Sequence, residues 1–206
     1  MDSENRITLG VLNLIQAHPS PNQRAIAGNL GIALGLANTY VKRCVAKGYV
    51  KIAQAPANRY VYYLTPTGFA EKSRLTGEFL RQSFSLFRQA REQYRALFTL
   101  CRTSSWERVA LGGMSDLAEI ALLCARESRM EVVGIVDPGA TVGKTVGVPV
   151  NATLQEFAPI DAVLLTEMGD AQGTYERIVR DFSRDRVLVP GLLGVTLVPA
   201  ERGGQE

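Results

Sequence analysis

The sequence predicts a chain of mixed class: a small α+β N-terminal domain, a long connecting helix, and an α/β domain built on a parallel sheet. Three observations lead there. Short helical patterns closed by Gly31 and Gly48 give way to two Tyr/Val-rich strand patterns that end at Leu64. No proline falls between Pro66 and Pro138, and a helical pattern fills the first half of that interval. From Arg108 onward, short apolar runs alternate with amphipathic segments, as strands buried on both faces alternate with crossover helices. The expected boundaries are 1–65, 66–103 and 104–206.

Charge divides the chain in the same way. Residues 1–100 hold 13 Lys and Arg against 5 Asp and Glu, a net of +8, while residues 101–206 hold 10 against 15, a net of −5. A basic half joined to an acidic half suits one part that meets a polyanion and another with a different task. The start, MDSENRITLG, lacks the basic and apolar regions of a secretory leader, and no apolar run reaches 18 residues. Cys44, Cys101 and Cys124 are widely spaced and read as reduced thiols of a cytoplasmic protein. With His18 the single histidine and no nucleophile motif, a metal site or an enzyme is not expected.

The first helix carries Ile7, Leu9, Val11, Leu12, Leu14 and Ile15 on an apolar face and stops at His18-Pro19. The second is expected from about Pro21 to Leu30, with Ser20 as its cap, Gln23 closing a capping box and Gly31 ending it. A third, about Leu34 to Lys47, turns Ala37, Tyr40, Val41, Cys44 and Val45 inward and ends at Gly48. Its other side carries Asn38, Thr39, Lys42, Arg43 and Lys47. Amides and hydroxyls suit base edges, and the cations suit phosphates, with Arg43 also able to reach a guanine. Two short helices around a glycine turn fit helix-turn-helix geometry. The strands Tyr49 to Ala53 and Arg59 to Leu64 form a wing, whose loop holds Asn58 and Arg59 at its edge.

The connecting helix starts with Thr65 as cap and Pro66 at its first position, and persists to about Cys101. Leu80, Phe84, Phe87, Tyr94, Phe98 and Cys101 step by threes and fours, with Arg91 at the skipped position. This is a heptad seam, expected to pair two copies; packing against its own C-terminal domain is the alternative.

The runs LGIALGLANTYVKRCVAKGYVKI and RYVYYLTPTGFAEKSRLTGEFL resemble the MarR-type winged-helix regulators associated with exopolysaccharide gene clusters, over about Ile7 to Tyr94. The resemblance implies a winged helix-turn-helix domain that reads double-stranded DNA, with that role carried to Asn38, Thr39, Lys42, Arg43 and Arg59.

In the last domain, strands are expected at Arg108 to Gly113, Glu131 to Val136, Asp161 to Thr166 and Arg186 to Val189, with helices at about Asp116 to Arg126 and Gln172 to Phe182. Strand, glycine turn, helix, strand and acid follow one another as in a dinucleotide-binding βαβ unit, and Asp137 stands where a ribose-binding carboxylate would be. The segment Arg108 to Pro199 resembles the Rossmann-like CoA-binding family, whose relatives include redox-sensing Rex-type repressors. That implies a nucleotide ligand, a nucleotide sugar or NAD(H), near Gly112, Gly113, Met114, Ser115, Asp137 and Thr166. The glycine fingerprint is broken: Met114 and Leu117 replace its second and third glycines, and Asp116 brings negative charge to the phosphate position. Several roles stay open here. Asp137 is either a ribose acceptor or a turn residue, Lys144 a phosphate ligand or a surface lysine, and Ser115 a helix cap or a ligand donor. Glu167 stands where ligands meet such sheets. A ligand-free oligomerisation module is the remaining alternative.

Overall fold

The computed structural model describes residues 1–18, 21–55, 59–140, 144–145 and 147–197. The chain divides into two compact units, 1–85 and 86–206.

The first unit opens with helix α1 (Ser3–Ala17), capped by the Asp2 side chain, which accepts from the Asn5 amide at 2.7 Å. Helix α2 (Gln23–Leu30) begins later than the sequence suggests. Its cap is Asn22, whose side chain accepts from the Ala25 amide; Ser20 lies outside the described residues. Pro21 therefore precedes the cap rather than opening the helix. Gly31 closes α2 in the left-handed conformation, φ +62°, as expected. Helix α3 (Leu34–Ala46) follows, then strands β1 (Val50–Ala55) and β2 (Arg59–Leu64), paired antiparallel with Ile52 opposite Tyr62.

Val11, Leu12 and Ile15 of α1, Ile26 of α2, Ala37, Val41 and Cys44 of α3, and Val50 and Tyr62 of the hairpin form one core. The long helix α4 (Pro66–Thr103) adds Leu75 to it. Thr65 caps α4, its hydroxyl accepting from the Gly68 amide at 3.0 Å. Gly68 is required there, since a Cβ would lie 2.0 Å from the Tyr49 carbonyl oxygen.

In the second unit the strands β3 (Arg108–Gly112), β4 (Glu131–Val136), β5 (Lys144–Thr145), β6 (Val148–Asn151), β7 (Ala162–Leu165) and β8 (Val187–Leu188) form one sheet in the order β5-β6-β4-β3-β7-β8. All neighbours are parallel except β5 with β6. The chain starts at central β3, builds outward through β4 and β6, then crosses to β7 and β8. This is the doubly wound Rossmann-like arrangement, with a switch point beside β3.

Alternation sorts the two faces. Val109, Leu111, Ile135 and Leu164 meet helix α5 (Asp116–Ser128) together with Ala90, Tyr94, Phe98 and Cys101 of α4. Ala110, Val136, Val163 and Leu165 meet helix α6 (Ala171–Asp181) and a 3-10 turn at Leu154–Phe157. Gly134 permits that turn to close on β4: a Cβ would lie 2.2 Å from the Phe157 ring.

The heptad seam is divided by this packing. Tyr94, Phe98 and Cys101 are fully buried in the unit's own core, whereas Leu80, Phe84 and Phe87 stay exposed. The alternative partner for the seam, its own C-terminal domain, thus takes the C-terminal half. Strands β5 and β6, which the sequence did not suggest, extend the sheet beyond β4.

The buried Tyr94 hydroxyl donates to the Leu165 carbonyl at 2.8 Å. Tyr94→Phe removes that buried hydrogen bond and lowers stability by about 0.5–1.5 kcal/mol. Phe98→Ala costs about 3–5 kcal/mol through the cavity it opens. Urea unfolding followed by fluorescence of Trp106, the single tryptophan, measures both.

Candidate nucleic-acid interface and candidate ligand crevice

Helix α3 buries Ala37, Tyr40, Val41 and Cys44, so at 100° per residue its opposite side is centred on Gly35, Thr39, Lys42 and Ala46. Thr39 and Lys42 stand in the middle of that outward face and are exposed. The Thr39 hydroxyl donates to the Gly35 carbonyl at 2.9 Å, leaving its lone pairs outward. Gly35 and Ala46 keep the middle of the face low, a feature that residue chemistry conceals and helical spacing reveals.

Asn38 and Arg43 lie on opposite flanks. Asn38 is half-buried, and its Oδ1 is buried without a donor. A bidentate contact to adenine needs both amide atoms, so this side chain must rotate before it can read a base that way. Arg43 turns back toward α1, its guanidinium 3.2 Å from the Glu4 carboxylate and 5.5 Å from the Tyr40 ring centre. Both ends of that ion pair are half exposed, so it contributes at most about 1 kcal/mol, and a phosphate can displace Glu4. Lys47 follows the helix, its ammonium 6.0 Å from the Tyr49 ring centre.

Asn58 lies outside the described residues, and so does the side chain of Arg59, whose backbone begins β2. Residues not anticipated also border this domain's surface. Gln23, Arg24, Leu34 and Tyr60 line an open groove between the start of α2, the start of α3 and the hairpin.

In the second unit, the ends of β3 and β7 bring together Gly112, Gly113, Ser115 and Thr166. Gly113 has φ +103°, and a Cβ would lie 2.5 Å from the Glu167 Cβ, so the glycine is needed both for conformation and for space. The Thr166 hydroxyl donates to the Gly113 carbonyl, and the Thr166 and Glu167 amides donate to the Gly112 carbonyl at 2.8 and 3.0 Å. The Ser115 hydroxyl caps α5, accepting from the Leu117 amide at 3.1 Å while donating to the Thr166 carbonyl. Its cap role, one of two left open by the sequence, is realised.

Asp137 is occupied on both oxygens. Oδ2 accepts from the Met114 amide at 3.0 Å, and Oδ1 from the Gly139 amide at 2.9 Å. The Met114 side chain packs against the core of the α4–α5 face. The loop that would cradle a pyrophosphate and the acid that would hold a ribose are therefore paired to each other. Glu167 is engaged in its own turn, accepting from the Gly169 amide at 2.6 Å. The Lys144 side chain lies outside the described residues.

Nothing among the described residues of either unit resembles an activated nucleophile. Burial pushes the Cys44 and Cys101 thiols up to about 11, which keeps them protonated at neutral pH. Among the described residues no group of three or more His, Cys, Asp or Glu could hold a metal ion, and no helix is long and apolar enough to cross a membrane.

If α3 meets a phosphate backbone, Lys42→Ala lowers DNA affinity and reduces the slope of log affinity against log salt by about 0.9 for each phosphate that is no longer neutralised. Arg43→Ala has a smaller effect, because part of its charge is already spent on Glu4. Fluorescence anisotropy across a salt series reads both.

Residues 4–51 match the family model described as winged helix-turn-helix DNA-binding. No curated protein matches the chain. Among solved structures, the PcaV transcriptional regulator from Streptomyces coelicolor is 22% identical, with a TM-score of 0.38, over 48% of this chain and 75% of that one. MepR, a transcription regulator of the Staphylococcus aureus multidrug efflux pump MepA, is 20% identical, with a TM-score of 0.36, over 48% of this chain and 77% of that one. Sso10a-2, a DNA-binding protein from Sulfolobus solfataricus, is 19% identical, with a TM-score of 0.35, over 43% and 87%. Each likeness covers half of this chain or less. The family match and the three-helix-plus-hairpin fold agree: the N-terminal unit is a winged helix-turn-helix DNA-binding domain.

Proposed function

We propose that the protein is a homodimeric transcriptional regulator that binds double-stranded DNA through α3 and its wing. Its targets are cell-surface polysaccharide genes, and its α/β domain senses a nucleotide-containing metabolite such as a nucleotide sugar. The observation that carries the DNA reading is the outward face of α3, with Thr39 and Lys42 at its centre and cations on its edge, in a domain of DNA-binding type. The polysaccharide role rests on the resemblance carried by residues 62–80. The sensor role rests on the fusion of a DNA-binding domain to a doubly wound sheet, whose switch point is where such folds take ligands.

The dimer is supported by the uncovered part of α4. Residues 79–89 are exposed on every side, and Phe79, Leu80, Phe84, Leu86 and Phe87 lie among them. Each such side chain gains about 1.5–3 kcal/mol on full burial, so three turns of helix carry a strong drive toward a second copy. Two copies also suit paired half-sites about 34 Å apart.

A second reading has its own support. The Asp137–Met114 pairing and the packed Met114 side chain favour an α/β domain that works without a nucleotide, as an oligomerisation module. A redox-sensing role of the Rex kind requires NAD(H) to break that same pairing. Thermal unfolding in the presence of NAD, NADH and uridine diphosphate sugars separates the readings. A ligand at about 100 times its Kd adds about 2.7 kcal/mol and raises Tm measurably, whereas no shift with any of them overturns the nucleotide sensor. For the dimer, Phe84→Glu gives a monomer by sedimentation and weakens binding to a duplex with paired sites. An unchanged dimer would place the interface elsewhere.

A further inference from the structure

The sheet face covered by α6 is incompletely roofed. A doubly wound sheet normally carries a crossover helix after each parallel strand, but here only a single 3-10 turn at Leu154–Phe157 separates β6 from β7. Between this turn and α6 a cavity of about 220 Å³ remains. Val136, Pro138, Leu154 and Ile178 contribute apolar surface to it, and Arg177 and Arg180 of α6 stand at its border with Asp181. The Arg177 guanidinium is already oriented, donating to the Thr174 hydroxyl at 2.5 Å and lying 3.6 Å from the Asp170 carboxylate. Arg180 makes no ion pair among the described residues.

We infer that this cavity is a ligand site for a compact apolar monoanion, a carboxylic acid of single-ring size, held with its ring on Val136, Leu154 and Ile178 and its carboxylate toward Arg180. Size sets the class. An apolar cavity of about 150 Å³ accepts benzene, whereas pockets for drug-sized ligands run from about 300 Å³ upward, so 220 Å³ takes one ring and a short polar group but not a dinucleotide. Charge sets the sign: with Arg177 taken up by Asp170, Arg180 is the cation at the border that has no ion-pair partner among the described residues. The site is also separate from the glycine loop yet adjoins it. Val136 forms part of its wall and immediately precedes Asp137, whose carboxylate holds the Met114 amide. Ile178, on the same wall, packs so close to Gly112 that a Cβ there would lie 2.6 Å from its Cδ1. Occupancy therefore bears on Val136 and Ile178, which adjoin Asp137 and Gly112 of the loop. Only this regulatory consequence rests on the sensor reading above; binding itself does not.

The test uses the full chain, with phenylacetate as probe and 2-phenylethanol as its neutral match, in calorimetric titration and thermal unfolding. Wild type binds phenylacetate at least about tenfold more tightly than the alcohol, the difference expected of a charge-assisted contact. Arg180→Gln, an exposed substitution, removes that preference, and Ala152→Phe, which fills the exposed border, abolishes binding of both. No binding to wild type, equal affinity for acid and alcohol, or undiminished binding in both variants each overturns the proposal. If Ala152→Phe does not fold, the Arg180→Gln comparison decides. Phenylacetate binding without any nucleotide effect would keep this site and remove the nucleotide sensor; a nucleotide shift without phenylacetate binding would do the reverse.

Discussion

One apolar stripe on α4 governs how this chain can be built. Leu75 is committed to the core of the winged helix, and Ala90, Tyr94, Phe98 and Cys101 to the core of the α/β unit. Neither commitment can be relaxed cheaply, since Tyr94 also spends its hydroxyl on the Leu165 carbonyl and a buried carbonyl left unpaired is costly. The stripe between the two commitments, Leu80 to Phe87, has no cover among the described residues. The helix is continuous through it, and the N-terminal ammonium of Met1 donates to the Gln82 side chain beside it. The same constraint that ties the helix to two cores thus leaves apolar surface exposed along its middle.

Much of the fold was legible because the signals were local. Gly31 and Gly48 end helices with positive φ, Thr65 caps α4, and the Tyr/Val strands pair as a hairpin. The caps depend on residues within a few positions of one another, and the hairpin on two strands joined by one short loop. The misplaced start of α2 shows the limit of such signals. Ser20 and Asn22 are both good caps by residue type, and the side chain that takes the Ala25 amide is that of Asn22. The pair β5 and β6 escaped notice because β5 has only two residues and β6 contains Pro149, a residue that argues against a strand.

The site was legible in composition but not in orientation. Residue chemistry placed Lys42 and Arg43 together as phosphate ligands, yet one lies at the centre of the outward face and the other bends back to Glu4. Nothing near Arg43 in sequence announces that partner, 39 positions away. Asn38 is similar: its amide chemistry suits a base edge, but its position on the flank of α3 buries the oxygen. These differences arise from tertiary packing, which decides where a helix face points.

The glycine loop shows why a motif with the right spacing need not keep its chemistry. In a dinucleotide site, small residues leave backbone amides open to phosphate and an acid open to ribose. Here Met114 replaces a glycine, and its side chain anchors in the core while its amide turns to Asp137. A buried or half-buried amide needs an acceptor, and the Asp137 carboxylate supplies it. The second oxygen of the acid fixes the turn at Gly139. One carboxylate thus ties the loop and the turn together. A phosphate at this loop would compete with the Asp137 carboxylate for the Met114 amide. Any ligand that acts on this domain without that competition must seat beside the loop rather than upon it, where Val136 and Ile178 meet it from the α6 face.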